Sequence, residues 1–500
     1  MTTWQDRLAE QDKTLHVHLI GIGGAGLSPI AKVLLELGFS VSGSDRQSNA
    51  NTKLLAELGA TIFTQQVAEN INNLLAQSGL EQANNIAQSG LEQANNIAQS
   101  GLEQANYIVL YSSAIAADHS ERLAAVAHGI SVVKRDEFLP ALLSKRKLIA
   151  VAGTHGKSTT TSMIVKVLLE AGIDTGYIIG TTLPGYGNAS AGSSSYFVLE
   201  ADEYDHMFLG LQPTVSVITN VEWDHPDCFP TAQSFEDAFH QFAAKEAALT
   251  ISCLDDAGAE KLRTSIDSNA PWFTYSVQQP DQEKAADLTA RVERAAPGEK
   301  TSTVLTIAGQ QVGVLQLGVP GDHNLRNALA AISVSQWCGV SIAQACRSLR
   351  TFNGTARRFE TKGEAAGVIV IDDYAHHPTE VRATLDAARN HYPTRRIWAV
   401  FQPHTFSRTK QLQAAMSASF SDADQVLVTD IFAAREEDLG EVSAEDIVRQ
   451  SSHQSIRHTP TLADATAILR NEVAENDVVI TLGAGDSYRI GEMLLDELRR

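Results

Sequence analysis

Short apolar runs alternate along the chain with stretches whose apolar positions recur at helical spacing, and glycines punctuate the joins. That alternation predicts strands feeding amphipathic helices, as in parallel α/β sheets. Residues 16–20 are the first run; Ala31, Leu34 and Leu35 follow at helical spacing up to Gly38, and a second strand begins at 39–41. Residues 107–111 read as a further strand, and 137–147 as a helix with a basic end. A buried strand at 148–152 leads into a helix marked by Met163, Ile164, Val167 and Leu168 and closed at Gly172. Strands are expected at 196–199 and 215–219, a hairpin around 308–311, and an alanine-rich helix after Gly321. Beyond that, strands at 368–371, 397–401, 425–428 and 478–482 alternate with helical segments, one of them at 380–388.

Two of the joins have the chemistry of anion binding. Gly21, Gly23 and Gly26 fit GxGxxG after a strand, Gly24 lies inside the turn, and Asp45 follows about 20 residues on. Such a turn lets the backbone approach a diphosphate and offers a carboxylate to a ribose. It suits NAD and a UDP-sugar alike, and a turn selected only for close helix–strand packing looks the same. Ser112 and Ser113 end the strand at 107–111, on the sheet edge where open α/β sheets hold ligands.

The second join is Gly153-Thr154-His155-Gly156-Lys157-Ser158-Thr159. Backbone N–H groups at the helix start would face an anion, Lys157 adds a point charge, and the Ser158 hydroxyl can hold Mg²⁺. The usual phosphate loop has four residues between its glycines, whereas only Thr154 and His155 separate Gly153 from Gly156. The expectation is a nucleoside-triphosphate site of variant type. Glu200, Asp202, Glu203 and Asp205 crowd the end of the strand at 196–199. They read either as metal ligands beside that phosphate or as a solvated acidic turn. His225, after Glu222 and Asp224, either binds metal or caps a turn.

These motifs set the fold class as α/β in three domains. A Rossmann-like N-terminal domain is expected over 1–145, a central P-loop ATPase-like α/β domain over 146–354, and a C-terminal Rossmann-like α/β domain over 355–500. A length of 500 residues suits about three domains. The net charge of −20 argues against a nucleic-acid partner, and no Lys/Arg block points to a membrane surface. No apolar run approaches the roughly 20 residues of a membrane span, and the acidic N-terminus does not resemble a signal peptide. The four cysteines lack CxxC spacing, so a reduced, cytoplasmic protein is the simplest expectation.

Residues 76–108 hold three consecutive copies of an eleven-residue unit, AQSGLEQANNI twice and then AQSGLEQANYI. Each copy carries a glycine that costs a helix about 1 kcal/mol relative to alanine. A tandem expansion in a surface connection is expected, since lengthening a loop costs little. Deleting residues 76–97 should then leave ligand binding intact, and its loss in a folded variant would contradict this.

Taken together, the motifs resemble the Mur ligase family, which attaches amino acids to UDP-N-acetylmuramic acid. The family's GTxGKT/S loop accounts for GTHGKS, while GDHNLRNALAA and FNGTARRF are similar to its central helix and its junction to the last domain. DDYAHHPTE is close to its C-terminal signature. GIGGAGLSPIA, SGSD, SSAI, FQPHTFSRT and FAARE are most similar to the members that add L-alanine. EADEYD, with Tyr204, is instead similar to the tripeptide-recycling members, and Thr405 stands where an arginine commonly helps hold the amino acid. Gln65-Gln66 also replaces a Gly-His pair near the UDP-sugar site. A non-catalytic nucleotide-sugar binder of the same build is the remaining alternative.

The resemblance implies ATP, UDP-N-acetylmuramate and L-alanine as substrates and Mg²⁺ as cofactor, in a monomer or homodimer. It implies an ATP site at Gly153, Thr154, His155, Gly156, Lys157, Ser158 and Thr159, with Asn324, Asn327, Arg358 and Asp373 meeting the nucleotide. Ser158, Glu200 and His225 would hold metal, and Gly21, Gly23, Gly24, Gly26, Asp45, Ser112 and Ser113 the UDP-sugar. His377 and Arg408 would face the amino acid, and Lys157, Glu200, His225 and Arg408 would be catalytic.

Overall fold

The computed structural model describes residues 3–76, 106–266, 271–278, 286–293 and 302–500. The tandem repeat at 76–108 therefore lies almost wholly outside the described residues.

Three sheets organise the chain. The first contains β1 (His16–Ile20), β2 (Ser40–Ser44), β3 (Thr61–Phe63), β4 (Tyr107–Tyr111) and β5 (Ser131–Val133) in the order β3-β2-β1-β4-β5, all parallel. The order reverses direction between β1 and β4, so the glycine turn after β1 opens on the crevice where such sheets bind ligands.

The second sheet has β6 (Lys147–Ala152), β7 (Gly176–Leu183), β8 (Gly187–Ser190), β9 (Tyr196–Glu200), β10 (Val215–Ile218) and β11 (Leu249–Cys253). It continues through β12 (Trp272–Gln278), β13 (Leu288–Glu293), β14 (Ser302–Ile307) and β15 (Gln310–Leu315). β6 lies between β9 and β10. The helix Lys157–Glu170 that follows β6 is buried on every side from Ser158 to Leu168, against the helix Asp322–Trp337 and the sheet. Its sequence shows a weak apolar stripe because it has no solvent face to mark. The hairpin expected around 308–311 is β14–β15. The helix expected at 137–147 spans Arg135–Leu143, because Lys147 opens β6, where its N–H donates to Ser195 O.

The third sheet holds β16 (Glu360–Ala365), β17 (Val368–Asp373), β18 (Ile397–Phe401), β19 (Gln425–Val428), β20 (Ile456–His458) and β21 (Val478–Leu482) in the order β16-β17-β21-β18-β19-β20. The strands expected at 397–401, 425–428 and 478–482 coincide with β18, β19 and β21.

How the cores divide matters for function. One continuous apolar cluster runs from Val17 and Leu19 of the first sheet through Phe138 to Leu148, Phe197 and Phe208 of the second. The third sheet has separate clusters on its two faces, centred on Phe401 and Trp398. It meets the second sheet through polar side chains, the kind of surface across which packed units move relative to one another.

Candidate functional site

The loop after β6 can be built only with glycine at two points. Gly153 has φ +140°, and a Cβ there would lie 2.0 Å from Thr219 Oγ1. Gly156 has φ +79°, and its Cβ would lie 2.5 Å from Asn327 Oδ1. Residues beyond β10 clamp the loop: Thr219 Oγ1 and Asn220 Nδ2 donate to His155 O at 2.6 and 2.9 Å, and His155 N–H donates to Asn220 Oδ1 at 2.8 Å. Gly156 is the N-cap of the following helix and brings no side-chain oxygen, leaving the first N–H groups for an anion.

Lys157 Nζ donates to Gly153 O at 2.6 Å, to Thr154 O at 3.0 Å and to Glu203 Oε1 at 2.9 Å. Ser158 Oγ donates to Glu200 Oε1 at 2.9 Å, and Gly180 N–H to Glu200 Oε2 at 2.7 Å. Burial raises the Glu200 carboxyl above its ordinary range against the pull of Lys157. At Glu203 burial opposes the charge too, but Lys157 and His225 outweigh it and hold the carboxyl low. His225 adopts φ +55° and places Nε2 3.6 Å from Glu203 Oε1 and 3.8 Å from Asp224 Oδ2.

The acidic run therefore does not act as one cluster. Asp202 pairs with Arg135 at 3.2 Å and Asp205 with Lys134 at 2.8 Å, both toward the first sheet. Only Glu200 and Glu203 serve the loop. Ser158 and Glu200 form one oxygen pair, whereas His225 joins the group through Glu203.

A cavity of about 270 Å³ opens beside the loop, lined among others by Thr159, His323, Asn324, Asn327, Arg358 and Asp373. Four sequence-chosen residues, Asn324, Asn327, Arg358 and Asp373, thus meet across the boundary between the second and third sheets. Burial raises the Asp373 carboxyl to about 6, although Arg358 and the N–H groups of Ala375 and Phe359 favour its charge.

His155, inside the loop, sits between two carboxylates, with Nε2 2.9 Å from Glu222 Oε2 and Nδ1 3.3 Å from Glu380 Oε1. Burial disfavours its cation, but the two acids outweigh this and lift the imidazole to about 9. His377 is buried as N-cap of the helix Pro378–His391, its Nδ1 accepting from Thr379 N–H at 3.3 Å and its ring centre 4.7 Å from that of His155. Arg408, expected to face an amino-acid carboxylate, is held by Asp224: Nε donates to Oδ1 at 2.7 Å and Nη2 to Oδ2 at 3.3 Å.

At the first sheet, Gly23 N–H donates to Asp45 Oδ2 at 2.9 Å, and Asn49 and Asn51 donate to Gly23 O at 3.3 and 3.0 Å. Gly24 N–H closes the turn onto Gly21 O, and Gly21 faces Ser112. Gly26 packs against the Arg135 guanidinium, which pairs with Asp202, and the Ser113 side chain helps hold the Asp205 carboxyl low, so those two residues face the second sheet.

Four acids at the site escaped the sequence reading of individual roles: Glu203, Glu222, Asp224 and Glu380. Glu380 had a local signal, since it completes a capping box three residues after His377. The others contact partners distant in sequence, and nothing in their neighbourhoods marks which acid turns inward.

The description "Mur ligase family, catalytic domain" matches residues 16–147, "Mur ligase middle domain" residues 151–335, and "Mur ligase, glutamate ligase domain" residues 357–485. The UDP-N-acetylmuramate–L-alanine ligase of Clostridium kluyveri is 37% identical over 492 residues, covering 97% of this chain and 99% of its own. That of Oleidesulfovibrio alaskensis is 38% identical over 490 residues, with coverage of 97% and 99%. Among solved structures, the UDP-N-acetylmuramate–alanine ligase of Thermotoga maritima has the same fold, with TM-score 0.73, 24% identity, and coverage of 96% of this chain and 98% of that one. A murein peptide ligase from Psychrobacter arcticus gives TM-score 0.68 and 25% identity, with coverage of 97% and 99%. Similarity that runs in one order through all three sheets and nearly end to end makes this chain a member of the Mur ligase family.

Proposed function

We propose that the protein joins L-alanine to UDP-N-acetylmuramate at the expense of ATP, in cytoplasmic peptidoglycan precursor synthesis. The observation that carries this reading is near-full-length similarity to ligases of that name, joined to a cleft that sets a phosphate loop against the third sheet. ATP would lie in the cavity beside Asn324, Asn327, Arg358 and Asp373, its phosphates along 153–159. The UDP-sugar would lie over the turn at Gly21, Gly23 and Gly24, near Asp45 and Ser112. With the expected divisions at 145 and 354, the UDP-sugar would lie on the first domain and ATP between the second and third, the first and second sharing a core.

The muramic carboxylate oxygen would attack the γ-phosphorus, releasing ADP and leaving an acyl phosphate. The amine of alanine would then attack the acyl carbon, and phosphate would leave as the C–N bond forms. Two anions must meet in the first step, so positioning and charge neutralisation are the main task. Lys157 supplies a cation at the γ-phosphate once it leaves Glu203. The Ser158–Glu200 pair is a hard-oxygen donor set that fits Mg²⁺, with His225 and Glu203 as candidates beside it. Bound there, Mg²⁺ would neutralise phosphate charge. Arg408 would receive the amino-acid carboxylate by exchanging its bond to Asp224, with His377 nearby.

Tyr204 favours a second reading, the tripeptide ligase. Its ring stacks edge-on to His225, its hydroxyl donates to Asp227 at 3.0 Å, and the Arg435 guanidinium lies 4.3 Å from its centroid. Phosphate release with UDP-N-acetylmuramate, ATP and a panel of amino acids plus the tripeptide separates the two. Strongest release with L-alanine is expected; a response only to the tripeptide would reverse the assignment, and none to any acceptor would favour a binder.

A further inference from the structure

One group of potential ligands lies outside the oxygen pair at Ser158 and Glu200. His155, Glu222 and His377 each offer a donor atom, and these atoms all lie within 4.8 Å of one another. His155 Nε2 is 2.9 Å and His377 Nδ1 3.8 Å from Glu222 Oε2. Donors around a tetrahedral ion with bonds of about 2.0–2.1 Å stand roughly 3.3 Å apart, so small side-chain shifts complete the geometry. His377 Nε2 is buried and has no hydrogen-bond partner among the described residues, and Nδ1 takes only the long 3.3 Å bond from Thr379. Nε2 is therefore free, and Nδ1 can meet an ion only by giving up the Thr379 bond.

The surroundings suit a metal-bound imidazole. His155 Nδ1 faces Glu380 Oε1 at 3.3 Å, an arrangement that leaves Nε2 for the ion and fixes the ring. Glu222 Oε1 accepts from Thr379 Oγ1 at 2.8 Å, which orients the carboxylate. Two imidazoles and one carboxylate are a borderline-soft set that prefers a zinc-like ion over Mg²⁺. His155 and Glu222 follow β6 and β10, whereas His377 opens a helix of the third sheet's unit.

We propose that His155, Glu222 and His377 form a binding site for a zinc-like divalent cation that clasps the phosphate loop to the unit carrying the third sheet. Ion binding at the clasp requires neither the substrates nor the reaction proposed above, although His155 and His377 also belong to the ATP and alanine sites proposed there. The test is titration of the metal-free full-length protein with Co²⁺, whose four-coordinate complexes absorb visible light far more strongly than six-coordinate oxygen sites. One equivalent should give the intense band, Zn²⁺ should abolish it, and excess Mg²⁺ should leave it unchanged. His377→Ala and Glu222→Gln should each weaken Co²⁺ binding by about 10-fold or more, with circular dichroism confirming their fold. Weak six-coordinate absorption, displacement by Mg²⁺, or an intense band surviving in both variants would overturn the proposal. If neither variant folds, the intensity and the Mg²⁺ competition on the intact protein still decide it.

Discussion

The ion pair between Asp224 and Arg408 joins the second and third sheets across 184 positions of sequence, with side chains only 5% and 4% exposed. Burial alone would raise the Asp224 carboxyl, but the Arg408 charge overrides this and pulls it well below the usual range. Asp224→Asn keeps the shape and removes the charge, stranding a buried guanidinium. Breaking a buried pair from one side costs about 3–5 kcal/mol. Glu380 and Asp227 still act on Arg408 from further away, so the lower figure is expected. Because the third sheet has its own cores, the protein need not unfold to relieve this. Arg408 regains water when the two surfaces part, and about 3 kcal/mol shifts the contact equilibrium roughly 100-fold toward separation. Small-angle scattering of the unliganded variant should show a larger radius of gyration. Urea transitions of the separate units should move by less than about 0.5 kcal/mol, and Asp224→Leu with Arg408→Met should restore the compact form. An unchanged radius together with a unit destabilised by about 3 kcal/mol would refute the reasoning, because the pair would then belong to a core.

Lys157→Met should abolish ATP-dependent acyl-phosphate formation while UDP-sugar binding at the first sheet survives; isothermal titration and ADP release read the two separately. Gly153→Ala should cost at least about 1–3 kcal/mol in the loop and sharply weaken nucleotide binding, since both φ and Thr219 oppose a Cβ; wild-type nucleotide affinity would contradict the loop geometry. His155, raised to about 9 from 6.5, contributes stability that is fully present below pH 6.5 and lost as pH rises through 9. The unfolding midpoint should fall over that window, and His155→Gln should flatten the slope.

Strands such as 397–401 and 478–482 were legible because a buried parallel strand is a continuous apolar run. The phosphate loop was legible because its glycines answer local backbone demands at Gly153 and Gly156. The charges around it were less so. Glu200 to Asp205 read as four equivalent acids, yet the chain turns through left-handed Asp205 and His206 and sends two toward Arg135 and Lys134. Arg408 stood out in FQPHTFSRT as a cation expected to face the amino acid, but Asp224, which holds it in the fold, lies far away in sequence, where no local pattern reaches. Asp373 and Arg358 could be matched by motif alone; only the fold shows them lining the same cavity as Thr159 and Asn327.

The pairings around the cleft have a collective effect. Lys157 has Glu203 at 2.9 Å, His155 has Glu222 at 2.9 Å, Arg358 has Glu380 at 3.4 Å and Arg408 has Asp224 at 2.7 Å. The cleft behaves like an ion-exchange resin already loaded with its own counter-ions. In a chain of net charge −20, an arriving polyanion meets these four cations each already beside a resident carboxylate. A polyanionic ligand therefore gains most when it replaces several of these partners together.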